Sequence, residues 1–167
     1  MTKVELLMLL KDFTKNATTD IVLPVRRQES DLEQPDPRPA DVYCMRLIKG
    51  GDAKKAAPYI IHQVITGKDA QSRGARISGN AVVRSIFCVY NEDEQEGSLS
   101  LLGLMERMRI AFLEKVVIGN RYQLDLEAGL EMLIYPDDTA PYYIGEFVTT
   151  WTVPGVEREV VFFGEQK

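Results

Sequence analysis

Residues 80 to 90, NAVVRSIFCVY, constrain the fold more than any other stretch of the chain. In an extended backbone Ala81, Val83, Phe87 and Val89 fall on one face, and Val82, Ile86, Cys88 and Tyr90 fall on the other. A strand that is apolar on both faces has to be covered on both, which predicts a central strand. The chain then passes through an acidic turn, EDEQEG, into SLSLLGLMERMRIAFLEKVV, whose apolar spacing predicts an amphipathic helix. Ser98 is placed to cap that helix, with Asp93, Glu94 and Glu96 near its positive N-terminal end, where carboxylates are favoured.

The remaining chain supplies partners for this unit. Val4, Leu7, Met8, Leu10 and Phe13 predict a helix from about Lys3 to Lys15, with Thr2 as cap, Glu5 three residues on as in a capping box, and a breaker from Asn16 to Asp20. IVLPVRR reads as a short strand that Pro24 confines to an edge or an end. Pro35, Pro37 and Pro39 alternate among Glu29, Asp31, Glu33, Asp36 and Asp41, which predicts a long exposed loop. Val42 to Ile48 and PYIIHQVITGKDAQ, residues 58–71, read as strands, the latter with Tyr59, Ile61 and Ile65 opposed to Ile60, His62 and Val64. Gly67 to Gly79 reads as a loop presenting Lys68, Arg73 and Arg76, either a solvated hairpin connection or a segment that orders against an acidic neighbour.

RYQLDLE alternates as a half-buried strand, GLEMLIYP continues in extended form or begins a new strand, and YYIGEFVTTWTVP is a strand with Tyr143, Phe147, Trp151 and Val153 on one face. That aromatic face is expected to pack beneath the two helices. The apolar run Val160 to Phe163 follows in a polar setting. It reads as an arm that docks on a neighbour or as a closing edge strand. The expectation is an α+β fold: a mixed, mainly antiparallel sheet flanked by two main helices, one domain over residues 1–155, flexible loops, and residues 156–167 as arm or edge.

Charge and composition exclude several function classes. A net charge of −5 and a pI near 5 argue against nucleic acid as the main partner, which needs concentrated basic surface. No apolar run is long enough to cross a bilayer, and MTKVELLMLLKDF breaks into Lys and Asp too soon for a secretory signal. A soluble, cytoplasm-made protein is expected. Cys44 and Cys88 lie in apolar runs without metal or redox spacing and read as small buried hydrophobes. The lone histidine, His62, sits in an apolar strand with no nucleophile context and reads as structural. No phosphate-loop, dinucleotide, zinc-protease or hydrolase motif occurs, and EDEQEG lacks the ligand spacing of a calcium loop. No catalytic residue, metal or cofactor is expected.

The order of elements, and above all the segment IFCVYNEDEQEGSLSLLGLMERMRIAFLE, resembles the small tail-terminator and tail-completion (head–tail joining) proteins of long-tailed phages. In that family a hydrophobic strand leads through an acidic or polar turn and a small residue into a leucine-rich amphipathic helix. The resemblance covers residues 80 to 153, and the N-terminal helix loosely; the proline-rich insert at 34–39 and the length of 49–79 depart from the simplest members. It implies a homo-oligomeric ring, commonly a hexamer, that caps the tail tube at the head–tail junction of the virion, stops tube polymerisation and offers a surface for head docking. Its partners would be further copies of itself, the tail-tube protein and a head-completion or neck protein, with the genome passing through the lumen. Candidate contacts are the acids Glu92, Asp93, Glu94 and Glu96, the cations Lys68, Arg73, Arg76, Arg107 and Arg109, and Phe162 and Phe163. A solvated surface is the alternative for each charged group. A neck connector on the portal side, and a small ligand-binding or enzymatic domain with a cleft near His62 and Tyr59, are the alternative functions.

Overall fold

The computed structural model describes residues 2–47, 56–71, 77–136 and 140–156. Its elements are α1 (Lys3–Thr18), β1 (Asp41–Cys44), β2 (Tyr59–Ala70), β3 (Ser78–Tyr90), α2 (Glu94–Lys115), β4 (Val117–Ile118), β5 (Tyr122–Leu124), β6 (Leu130–Ile134) and β7 (Tyr142–Pro154). The sheet order is β1-β2-β3-β7-β5-β4, with β6 also paired to β7. Among the described residues only β1 and β2 run parallel; the other pairs are antiparallel. This is the expected α+β fold: two helices and a mixed, mostly antiparallel, curled sheet.

The apolar pattern of β3 explains the architecture. Its helix-facing side contributes Ala81, Val83, Phe87 and Val89 to the main core, joined by Ile60 from β2 and Phe147, Trp151 and Val153 from β7. Leu6, Leu7 and Leu10 of α1 and Leu101, Leu104, Met105, Met108 and Phe112 of α2 close over them. Both helices therefore lie on one face of the sheet. The ring of Phe112 stacks on Phe13 of α1 and meets Trp151 edge-on, so one side chain joins both helices to the sheet. The other face carries a smaller cluster of Tyr59, Ile61, Cys88, Tyr90 and Tyr142, as the two-sided pattern requires.

Three local expectations change. Helix α1 runs through Thr18 rather than ending near Lys15, because Thr14 and Thr18 are buried and Thr18 Oγ1 donates to the Thr14 carbonyl, so tertiary burial outweighs weak helix propensity. Its inward stripe is Leu6, Leu7, Leu10 and Thr14, leaving Val4 and Met8 exposed. IVLPVRR forms a single bridge, Leu23 to Arg38, since Pro24 has no N–H with which to extend a ladder. Strand β2 continues through Lys68 to Ala70, and β3 starts at Ser78, so much of the predicted 67–79 loop is hairpin.

Thr2 caps α1 as expected, accepting from the Glu5 N–H at 3.1 Å. The Glu5 carboxylate is hydrogen-bonded to the Thr2 backbone, as a capping box requires, and it also accepts from Tyr122 Oη at 2.8 Å and pairs with Arg121. The Tyr122 hydrogen bond, more than the Arg121 charge, lowers the Glu5 pKa. This ties the start of α1 to β5.

His62 is fully buried under α1. Its Nε2 is 2.8 Å from Thr14 Oγ1 and its Nδ1 is 2.7 Å from Ser85 Oγ, so both ring nitrogens are engaged. Burial lowers its pKa from 6.5 to about 4. The unfolded chain takes up a proton near pH 6.5 and the folded one only near 4, so protons favour unfolding across that window. Chemical denaturation at pH 7, 5.5 and 4 is predicted to show a His62-dependent loss approaching about 3 kcal/mol, fully present as stability above pH 6.5 and absent below 4. A His62→Gln variant should lack that component of the pH dependence.

Candidate intersubunit surface

The acidic turn is built by its own hydrogen bonds. Asn91 Oδ1 accepts from the Asp93 N–H at 3.0 Å, and Asp93 Oδ1 accepts from the N–H groups of Gln95 and Glu96 at 2.9 and 3.0 Å. Asp93 is therefore the N-cap of α2. Ser98 instead lies one turn inside, donating to the Glu94 carbonyl at 3.0 Å. The aspartate wins because it precedes the serine and offers a charged acceptor to two orphan amides. Glu94 and Glu96 fall in the first turn, exposed and aligned with the helix dipole. Glu92 accepts from Tyr90 Oη at 2.8 Å, which fixes it to the opposite face of the sheet.

The predicted cations separate into two groups. Lys68 is exposed on β2, opposite Asn80 of β3, and its N–H donates to Asn80 Oδ1 at 3.0 Å. Tyr90 is ten residues along the strand from Asn80, so Lys68 and the acidic turn sit at opposite ends of β3, roughly 33 Å apart. Arg107 and Arg109 engage partners within the chain: Arg107 bridges α2 to Asp20 at 3.1 Å, and Arg109 grips Glu106 through two nitrogens at 2.8 and 2.9 Å. Arg73, Arg76, Phe162 and Phe163 lie outside the described residues. His62 and Tyr59 face opposite sides of β2, and both are buried.

A feature missed by sequence reasoning adjoins the acidic turn. Helix α2 has more apolar residues than one stripe accommodates: Leu99, Leu102, Ile110 and Leu113 are exposed on a side roughly 150° from the buried stripe. On β6 and just after it Met132, Leu133, Ile134 and Tyr135 are also exposed, and Ile134 and Tyr135 lie across from Leu99 at the start of α2. Between them opens a groove of about 650 Å³, lined by Glu94, Ser98, Leu99, Ile134, Tyr135 and Tyr143. The ring of Tyr143, which lines it, packs against Gly97, where a Cβ would overlap that ring. The Tyr143 hydroxyl is buried and has no hydrogen-bond partner among the described residues. Burial, followed by the charges of Glu94 and Asp93, raises its pKa. The sequence signal was the excess of leucine in SLSLLGL, which a single-stripe reading absorbs into the core.

Among the described residues no group of three or more metal-ligating side chains converges, and no helix is long and apolar enough to cross a membrane. Searched against protein-family models and curated proteins, the sequence matches none.

The two cap assignments separate experimentally. Asp93→Ala is predicted to destabilise the fold by about 1 kcal/mol and Ser98→Ala by only a few tenths, read from urea midpoints at constant slope. Equal losses would return the cap to Ser98.

Proposed function

We propose that this protein is a tail-terminator subunit that assembles as a ring, on the hexameric pattern, at the end of a phage tail tube, stops its polymerisation and presents the surface on which the head docks. The observation that carries this reading is the polarity of the subunit. An acidic turn beside an exposed apolar groove lies at one end of the sheet, and Lys68 lies at the other. A ring subunit needs two different surfaces that meet head to tail, a heterologous contact that closes by rotation. Opposite charge on those surfaces sets register and speeds encounter more than it adds affinity. The strand, acidic turn and leucine-rich helix that carry the family resemblance are the segment that forms the acidic end.

Tube length tests the reading. Phage particles lacking this protein are predicted to carry overlong, headless tubes by electron microscopy, and purified protein added to polymerising tube protein should cap growth at its final length. Headless tails of normal length would instead place the protein on the connector side. Association should also slow as salt rises from about 0.05 to 0.5 M, and Glu94→Lys with Glu96→Lys should slow it at low salt. An encounter rate indifferent to both would remove electrostatic registration.

A further inference from the structure

Among the described residues two strand edges are open, and they lie on opposite sides of the sheet. Strand β1 takes the outer edge of β2 only from Tyr59 to His62, and the Met45 N–H closes that side on the His62 carbonyl. From there to Ala70, among the described residues, β2 pairs with β3 alone. On the other side β6 pairs only with β7. The extra residue at the bulge between Val64 and Thr66 moves the outward backbone groups of β2 from even to odd positions, so the N–H and C=O groups of Gly67 and Asp69 point away from β3. The Tyr135 N–H donates to the Ile144 carbonyl, so by the same alternation the N–H and C=O groups of Leu130 and Met132 point away from β7.

We propose that the β2 edge of one copy pairs antiparallel with the β6 edge of a second copy, Gly67 opposite Met132, so that one sheet runs across the boundary. Strand direction suits this pairing. Strands β2, β3, β7 and β6 alternate, so β6 runs opposite to β2, and copies set side by side in one orientation bring these two edges together antiparallel. Backbone hydrogen bonds then join Gly67 with Met132 and Asp69 with Leu130. The side chains agree with the backbone. Lys68, beside Asn80, and Glu131, beside Val148, both stand on the sheet face away from the helices. In this register they are directly opposite each other as a non-hydrogen-bonded pair, where side chains come closest.

Charge selects a second copy as the occupant of each edge. Lys68 and Glu131 are exposed, and neither has an ion-pair partner among the described residues. Each supplies the charge that the other lacks. Pairing either edge with itself gives Lys68 and Glu131 no opposite charge, because Glu131 is the one charged residue of β6 and Asp69 stands on the other face of β2. Gly67 also suits its place. Lys3 crosses it, since a Cβ there would meet Lys3 Cε, and ends on Asp69 at 3.3 Å. The exposed Met132 of the second copy thus meets the apolar Lys3 stem on the helix side. Each copy gives one edge and receives on the other, a heterologous contact. The pairing rests on the ring reading only for its closure.

Charge reversal tests the pairing. By sedimentation velocity the full chain is expected to form species larger than a monomer. Lys68→Glu and Glu131→Lys should each weaken association roughly five-fold, and the two together in one chain should restore it to within about two-fold. Met132→Pro removes an outward N–H that β6 does not use toward β7, and should weaken association at least roughly tenfold, with the folding of every variant checked by circular dichroism. A full chain that stays monomeric up to millimolar concentration, association indifferent to Lys68→Glu, or a double reversal as weak as its single parents would each overturn the proposal. So would a folded Met132→Pro variant that assembles like the full chain. Rings that form by this pairing yet leave tube growth unchecked would remove the terminator reading and leave the pairing standing.

Discussion

Strand β3 is bonded along its whole length, to β2 on one edge and to β7 on the other, and it carries apolar side chains on both faces. Neither face can meet water, so each recruits its own cover. The helix side takes α1 and α2, with Phe112 packed against both Phe13 and Trp151. The other side gathers Tyr59, Tyr90 and Tyr142, with Arg26 donating to the Tyr142 hydroxyl from the proline-rich region at 2.6 Å. Thr14, His62 and Ser85 add a buried polar line that joins α1 to β2 and β3 through one imidazole. Replacing either hydroxyl would leave a buried nitrogen unpaired, which is costly in such surroundings.

Because β3 runs from the hairpin near Lys68 to the acidic turn, it also fixes the distance between the two ends of the molecule. Its thirteen residues hold the charged groups apart and rigid. Acids at 93 to 96 serve the fold as a helix cap and first turn, so their place is secured by local stability. Two glycines let α2 seat closely on β7: a Cβ at Gly97 would meet Tyr143, and one at Gly145 would meet Met105. The same Tyr143 that meets Gly97 lines the groove between the start of α2 and Ile134. Folding and the proposed assembly thus draw on the same junction.

Much of the fold was legible because its signals are periodic. The two faces of β3, the opposed faces of β2 and the aromatic face of β7 followed from alternation, and both helices from spacing. What escaped depends on the third dimension. Thr18 falls in what reads as a breaker until its burial is known, and Val4 and Met8 look like core until α1 is seen to present Leu6 beside Leu7 instead. Ser98 and Asp93 are both sound caps, and only the backbone decides between them. The acidic turn was visible as a candidate contact, but its neighbour β6 was not, because LEMLI reads as an ordinary strand unless its open edge is seen. The partners of Arg107 and Arg109 within the chain, Asp20 and Glu106, also become visible only once the helices are packed.

The central claim is that copies meet end to end, the 92–96 turn and α2/β6 groove of one against the β2–β3 hairpin end of the next. Electron cryomicroscopy of intact tails tests this most directly. The account predicts a ring at the head-proximal end of the tube in which every acidic turn abuts a neighbouring hairpin. A ring whose copies touch side to side through α1, with β6 open to solvent, would contradict it.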